Sequence, residues 1–117
     1  MEGQELRAEV RVPVLQRGNL STGNDWFGCM VMDMSGSGML IVSNKQLEVG
    51  QILDFRCELY PGRVLNCMIE VMHSSDDSFG AMITEIDQKC TRLLHDYLEE
   101  KLAIKLDKRP TARAPKE

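Results

Sequence analysis

The chain has 117 residues, a net charge of −4 at pH 7, 43% hydrophobic and 27% charged residues. This suits one globular domain and excludes wholesale disorder. No run approaches the ~18 apolar residues of a membrane span, and the polar start, Met1 to Arg11, lacks the apolar core of a secretory signal.

The first element is an arm, residues 1–11, charged and without strong periodicity. A short strand is expected from Val12 to Leu20, with Pro13 near its start, where proline is tolerated. Ser21-Thr22-Gly23-Asn24-Asp25 reads as a turn. Trp26 to Met34 is apolar, with Cys29 and Val31 on one face and Met30 and Met32 on the other, both partly buried. Met39 to Ser43 is a further short run, followed by the loop residues of Asn44 to Gly50. Ile52 to Tyr60 alternates most clearly: Leu53, Phe55, Cys57 and Leu59 in, Asp54, Arg56 and Glu58 out. Pro61-Gly62 closes a hairpin, and Leu65, Cys67, Ile69 and Val71 alternate after it. Ser74-Ser75-Asp76-Asp77 breaks the pattern, which resumes from Phe79 to Ile86. The period then becomes helical, with Cys90, Leu93, Leu94, Tyr97, Leu98 and Leu102 on one stripe. Asp87 is the expected N-cap of a helix from about Gln88 to Ile104. Residues 105–117, with Pro110 and Pro115, read as a disordered basic tail. Short strands at regular spacing followed by one helix predict a small antiparallel barrel, filled by side chains that include many of the eight methionines. The apolar positions of the helix exceed what one narrow contact needs; barrel capping alone is the first expectation, and a homodimer or partner contact is the alternative.

Charge and cysteine usage narrow the function. Outside the tail the chain carries nine basic and sixteen acidic residues, which disfavours nucleic-acid binding. Cys29, Cys57, Cys67 and Cys90 are spread without a C-x-x-C pair, as in a cytoplasmic protein with reduced thiols. No nucleophile motif, phosphate loop or zinc spacing appears, so neither an enzyme nor a metal site is expected. His95 reads as an exposed helical residue. His73, near a strand end, reads as a surface residue with the option of flanking a ligand.

Two short patterns carry binding chemistry. Arg7 and Arg11 form an R-x-x-x-R pair whose spacing of four puts both guanidinium groups on one side. Such forks bond phosphates bidentately and pair with the O6 and N7 edge of guanine. Asp33-Met34-Ser35-Gly36-Ser37-Gly38 reads D-x-S-x-x-G. It offers a carboxylate acceptor for guanine donors, a hydroxyl and a glycine turn, though the same residue types also make plain turns.

Together, in this order and before a barrel-and-helix pattern, they resemble the PilZ domain, a bacterial receptor module for cyclic di-GMP. The resemblance runs from about Leu6 to Leu102 and includes Phe79-Gly80 and the helix around Leu93. It implies a six-stranded, split-type antiparallel β-barrel with a C-terminal helix, here residues 12–104. It implies that Arg7 and Arg11 clamp phosphate and guanine groups, that Asp33 and Ser35 hold a guanine edge, and that Gly38 keeps the loop tight. The arm would close over the ligand, and an effector protein would read the new surface, in motility, biofilm or exopolysaccharide control. No cofactor is implied beyond cyclic di-GMP as ligand. Glu2, Glu5 and Glu9 depart from the family's basic arms and are expected to weaken or slow binding. The alternatives are a nucleotide-independent adaptor, as in type IV pilus assembly, and an unrelated small barrel such as an oligonucleotide-binding fold, which the acidic body and few aromatics disfavour.

Overall fold

The computed structural model describes residues 10–107. The first part of the expected arm, with Arg7 and the three glutamates, lies outside them, as do residues 108–117. Six strands follow in order: β1 (Val12–Ser21), β2 (Trp26–Met34), β3 (Gly38–Val42), β4 (Ile52–Tyr60), β5 (Arg63–Ser74) and β6 (Ser78–Glu85). One helix, α1 (Gln88–Asp107), ends the described chain. The strands pair antiparallel in the closed order β1-β2-β3-β6-β5-β4, which is the expected six-stranded barrel with a C-terminal helix. The helix runs three residues past the expected Ile104, so residues 105–107 belong to it and not to a tail.

Alternating sequence becomes alternating burial where the ladder is regular. In β4, Leu53, Phe55, Cys57 and Leu59 fill the interior. In β5, Leu65, Cys67, Ile69 and Val71 meet them from the neighbouring strand. The hairpin between them turns at Gly62, whose φ of +78° suits glycine; its N–H donates to Glu58 Oε2 at 2.7 Å.

β2 is less regular. Val31 and Met34 are both fully buried, three residues apart, which a plain strand does not allow. Against β3, Val31 pairs with Ile41 and Asp33 with Leu40, so Met32 is an extra residue. This β-bulge resets the alternation: Met34 turns into the core and Asp33 turns outward. β1 carries a matching irregularity between Pro13 and Gln16, where Leu15 sits at φ +51°.

The helix closes the barrel with Cys90, Leu93, Leu94, Tyr97 and Leu98, all buried at the i, i+3, i+4, i+7, i+8 spacing. Asp87 caps it: its Oδ1 accepts from the Cys90 N–H at 2.7 Å, and its carbonyl accepts from the Thr91 N–H at 2.9 Å. The Tyr97 hydroxyl, inside the seam, accepts from Gln16 Nε2 at 3.0 Å and so ties the helix to β1.

The four thiols are free, and burial raises the pKa of three of them. Burial pushes Cys67 up to about 12, with the Cys90 and Cys57 thiols adding to it. Burial likewise raises Cys29 to about 12, aided by Cys57 and opposed by the Gly18 N–H, and Cys57 to about 11, aided by Glu58.

Two predictions follow from these contacts. Asp87→Ala removes the cap, and urea unfolding should show a loss of about 1 kcal/mol. In the unfolded chain the Cys29, Cys57 and Cys67 thiols ionise near their ordinary 9.0, while in the folded chain they hold their protons to about 11–12. The urea midpoint should therefore be flat from pH 7 to 8 and fall progressively above pH 9, as the unfolded state alone loses protons.

Candidate functional site

The strand register gathers the site. Residues Pro13, Asp33, Leu40, Gly80 and His73 form one row across β1, β2, β3, β6 and β5, each paired with the next. Arg11, two residues before Pro13, therefore emerges beside Asp33. Its Nε lies 3.1 Å from Asp33 Oδ1, with the two side chains 47% and 25% exposed. This ion pair is close, but its N–H is not aimed at the oxygen. Asp33 Oδ1 is shielded from water and accepts no hydrogen bond. A shielded carboxylate oxygen of this kind favours any donor that reaches it.

The loop from Asp33 to Gly38 holds that carboxylate in place. Ser35 is 2% exposed. Its Oγ accepts from the Ser37 N–H at 3.2 Å and the Gly38 N–H at 3.1 Å, and its N–H donates to the Gly38 carbonyl at 2.9 Å. The loop is then pinned to β6 by the Ile83 N–H, which donates to the Ser37 carbonyl at 2.8 Å. Gly38 is required by space: a Cβ there would lie 2.5 Å from the Ala81 carbonyl oxygen, a backbone atom that cannot give way. The loop-tightening expected of Gly38 thus has a direct physical cause. Ser35 is expected to hold a guanine edge; in the structure its hydroxyl is buried and accepts from the loop's own amides.

Arg11 and Asp33 open onto a cleft of about 480 Å³, lined also by Ser37, Gly38, Leu40, Met72, His73, Gly80 and Met82. That volume is within the range of small-molecule sites. A larger groove of about 830 Å³ lies between Arg17, Gly28, Val42 and Arg56, but it contains none of the motif residues. Arg7 lies outside the described residues. Among the described residues no cluster of three or more His, Cys, Asp or Glu is placed to hold a metal, and no helix is long and apolar enough to cross a membrane.

The cleft's far wall was not assembled by sequence reasoning. A second bulge, between Val71 and His73 of β5, turns His73 outward opposite Gly80. The only sequence hint was the position of His73 near a strand end.

The PilZ domain model matches residues 5–100. The chain belongs to the PilZ domain family. Solved structures agree at the level of fold. The Bacillus subtilis inhibitor of motility, MotI/DgrA, superposes with a TM-score of 0.69 at 16% identity, over 86% of this chain and 51% of that one. The PilZ domain of Escherichia coli YcgR, solved with c-di-GMP, gives 0.66 at 13% identity, over 86% and 96%. Borreliella burgdorferi PlzA, also solved with c-di-GMP, gives 0.60 at 19% identity, over 83% and 43%. The chain therefore spans about half the length of MotI/DgrA and less of PlzA. Among curated protein sequences nothing matches.

Ser35→Ala strips both loop amides of their acceptor. The expected cost is about 1–3 kcal/mol in urea unfolding, with faster hydrogen exchange at the Ser37 and Gly38 amides.

Proposed function

We propose that the protein is a cyclic di-GMP receptor, a binding module without catalytic chemistry of its own. One observation carries the reading: the β1–β2 register brings Arg11 and Asp33, from two separate motifs, together on the wall of one cleft. The chemistry suits a guanine nucleotide. Guanine presents adjacent N–H donors on its Watson–Crick edge, which match the carboxylate of Asp33, a side chain 25% exposed on the wall of the cleft. The Arg11 guanidinium, half exposed, has further N–H groups to offer to a phosphate or to the O6 and N7 edge. Arg7, four residues upstream, adds a second guanidinium to the same ligand, and residues 1–11 act as an arm that closes on it.

Two of the structurally similar proteins were solved with this ligand, and a third is an inhibitor of motility. They support a cyclic di-GMP receptor with a link to motility; we infer further that it passes second-messenger level to an effector protein in the cytoplasm, in control of motility, biofilm or exopolysaccharide. Ser35 and Gly38 serve the site through the loop, Asp33 and the arginines through direct contact.

Calorimetric titration with cyclic di-GMP, against GTP and cyclic GMP, tests the reading. Binding confined to cyclic di-GMP and at least as tight as micromolar is expected. Asp33→Ala and Arg11→Ala should each weaken it by about 10- to 100-fold, the range for a hydrogen bond to a charged group. Affinity should also fall with added salt, since charge pairing supplies part of it. Absence of binding at high ligand would point to the nucleotide-independent adaptor instead.

A further inference from the structure

We propose that His73 contacts the ligand, forming the wall of the cleft against which the purine base held at Asp33 rests. The proposal builds on the receptor reading and adds a residue that lies outside both motifs.

Three observations carry it. His73 shares the cross-strand row with Asp33, separated from it by Leu40 and Gly80. His73 is exposed, and its imidazole lies over Gly80 on that row. A Cβ built on Gly80 would lie 2.1 Å from His73 Nε2 and 2.5 Å from Cε1, so the ring occupies the space that only a glycine leaves open. Adjacent strands are about 4.8 Å apart. The ring over Gly80 is thus roughly 10 Å from the β2 position of Asp33, two strand spacings away. Between them lies Leu40, half-buried, as an apolar floor.

The surroundings select a flat aromatic group. Met72 and Met82 border the same cleft and are 46% and 40% exposed. Thioethers make favourable contacts with aromatic rings, and both are pliable. A base lying on Leu40, with its donor edge toward the Asp33 carboxylate, brings its opposite end to the imidazole and the methionines. Phosphates, which need cations, are served from the Arg11 side of the cleft instead.

The chain contains two histidines, and His95 on the exposed side of the helix serves as an internal control. Imidazole resonances of the intact protein should be followed during titration with cyclic di-GMP. The His73 ring signals are expected to shift and those of His95 to stay. His73→Ala should weaken binding by about tenfold while leaving the melting temperature near that of the parent. Gly80→Ala should push the imidazole off its seat and weaken binding similarly. The double variant His73→Ala with Gly80→Ala should bind no more weakly than His73→Ala alone, because the added methyl then displaces nothing. Wild-type binding with unshifted His73 signals, or parental affinity in His73→Ala, would overturn this proposal and leave the receptor reading intact. No binding by the wild-type chain would overturn the receptor reading and this one with it.

Discussion

The site depends on a change of phase in β2. Counting inward positions from Val31 puts Asp33 inside the barrel, where an ionised carboxylate among Ile41, Met39 and Val12 would be costly. The extra residue Met32 shifts the count by one, so that Met34 fills the core and Asp33 faces the surface. The neighbouring strand accommodates this with its own irregularity, and Leu15 is held there at a positive φ. That conformation costs about 1–2 kcal/mol for a residue with a side chain. It persists because both flanks are fixed: Val12 is in the core, and Gln16 donates to the buried Tyr97 hydroxyl. Strain in β1 is thus tied to the placement of Arg11, four residues earlier, opposite the carboxylate it faces.

The D-x-S-x-x-G motif divides into a chemical part and a scaffolding part. Asp33 brings a carboxylate to the wall of the cleft, paired with Arg11. Ser35 replaces, for the Ser37 and Gly38 amides, the partners that a turn would otherwise take from water. Gly38 lets β3 start against the Ala81 carbonyl. Loss of either scaffolding residue therefore disturbs the position of the carboxylate without removing it. The three residues of the motif differ in burial and in what they touch.

Most of the barrel was legible in the sequence because burial follows a fixed period in β4, β5 and the helix. Leu53 to Leu59, Leu65 to Val71 and Cys90 to Leu98 lie in the core where their spacing put them. The Asp87 cap was legible for the same reason, since one local side chain satisfies one local amide. β2 was not, because a bulge leaves no mark in hydrophobicity: Met30, Met32 and Met34 look alike, yet only Met34 is fully buried. The pairing of Arg11 with Asp33 was suggested by motif order but depends on a register that sequence does not print. The cleft's far side was least accessible. His73 and Gly80 are brought face to face by hairpin pairing across a second bulge, and their fit consists of a ring occupying the place of a missing methyl.

The position of the cleft constrains how a bound ligand can be sensed. Arg11, Asp33, Leu40, Met72, His73 and Met82 all lie on the outer surface of the sheet. Behind them, Met39, Ile41, Phe79 and Val71 are packed at or near zero exposure. Close-packed interiors have low compressibility, so a contact on the outer face acts first on what that face presents. A ligand seated here would leave the barrel as it is and change only what the surface presents: a dinucleotide in place of an open cleft, and whatever chain the arginines bring onto it. Such a receptor is read through the composite of ligand and polypeptide that forms at the cleft. The helix closes the barrel through Tyr97 and Leu94, away from the residues that line the cleft.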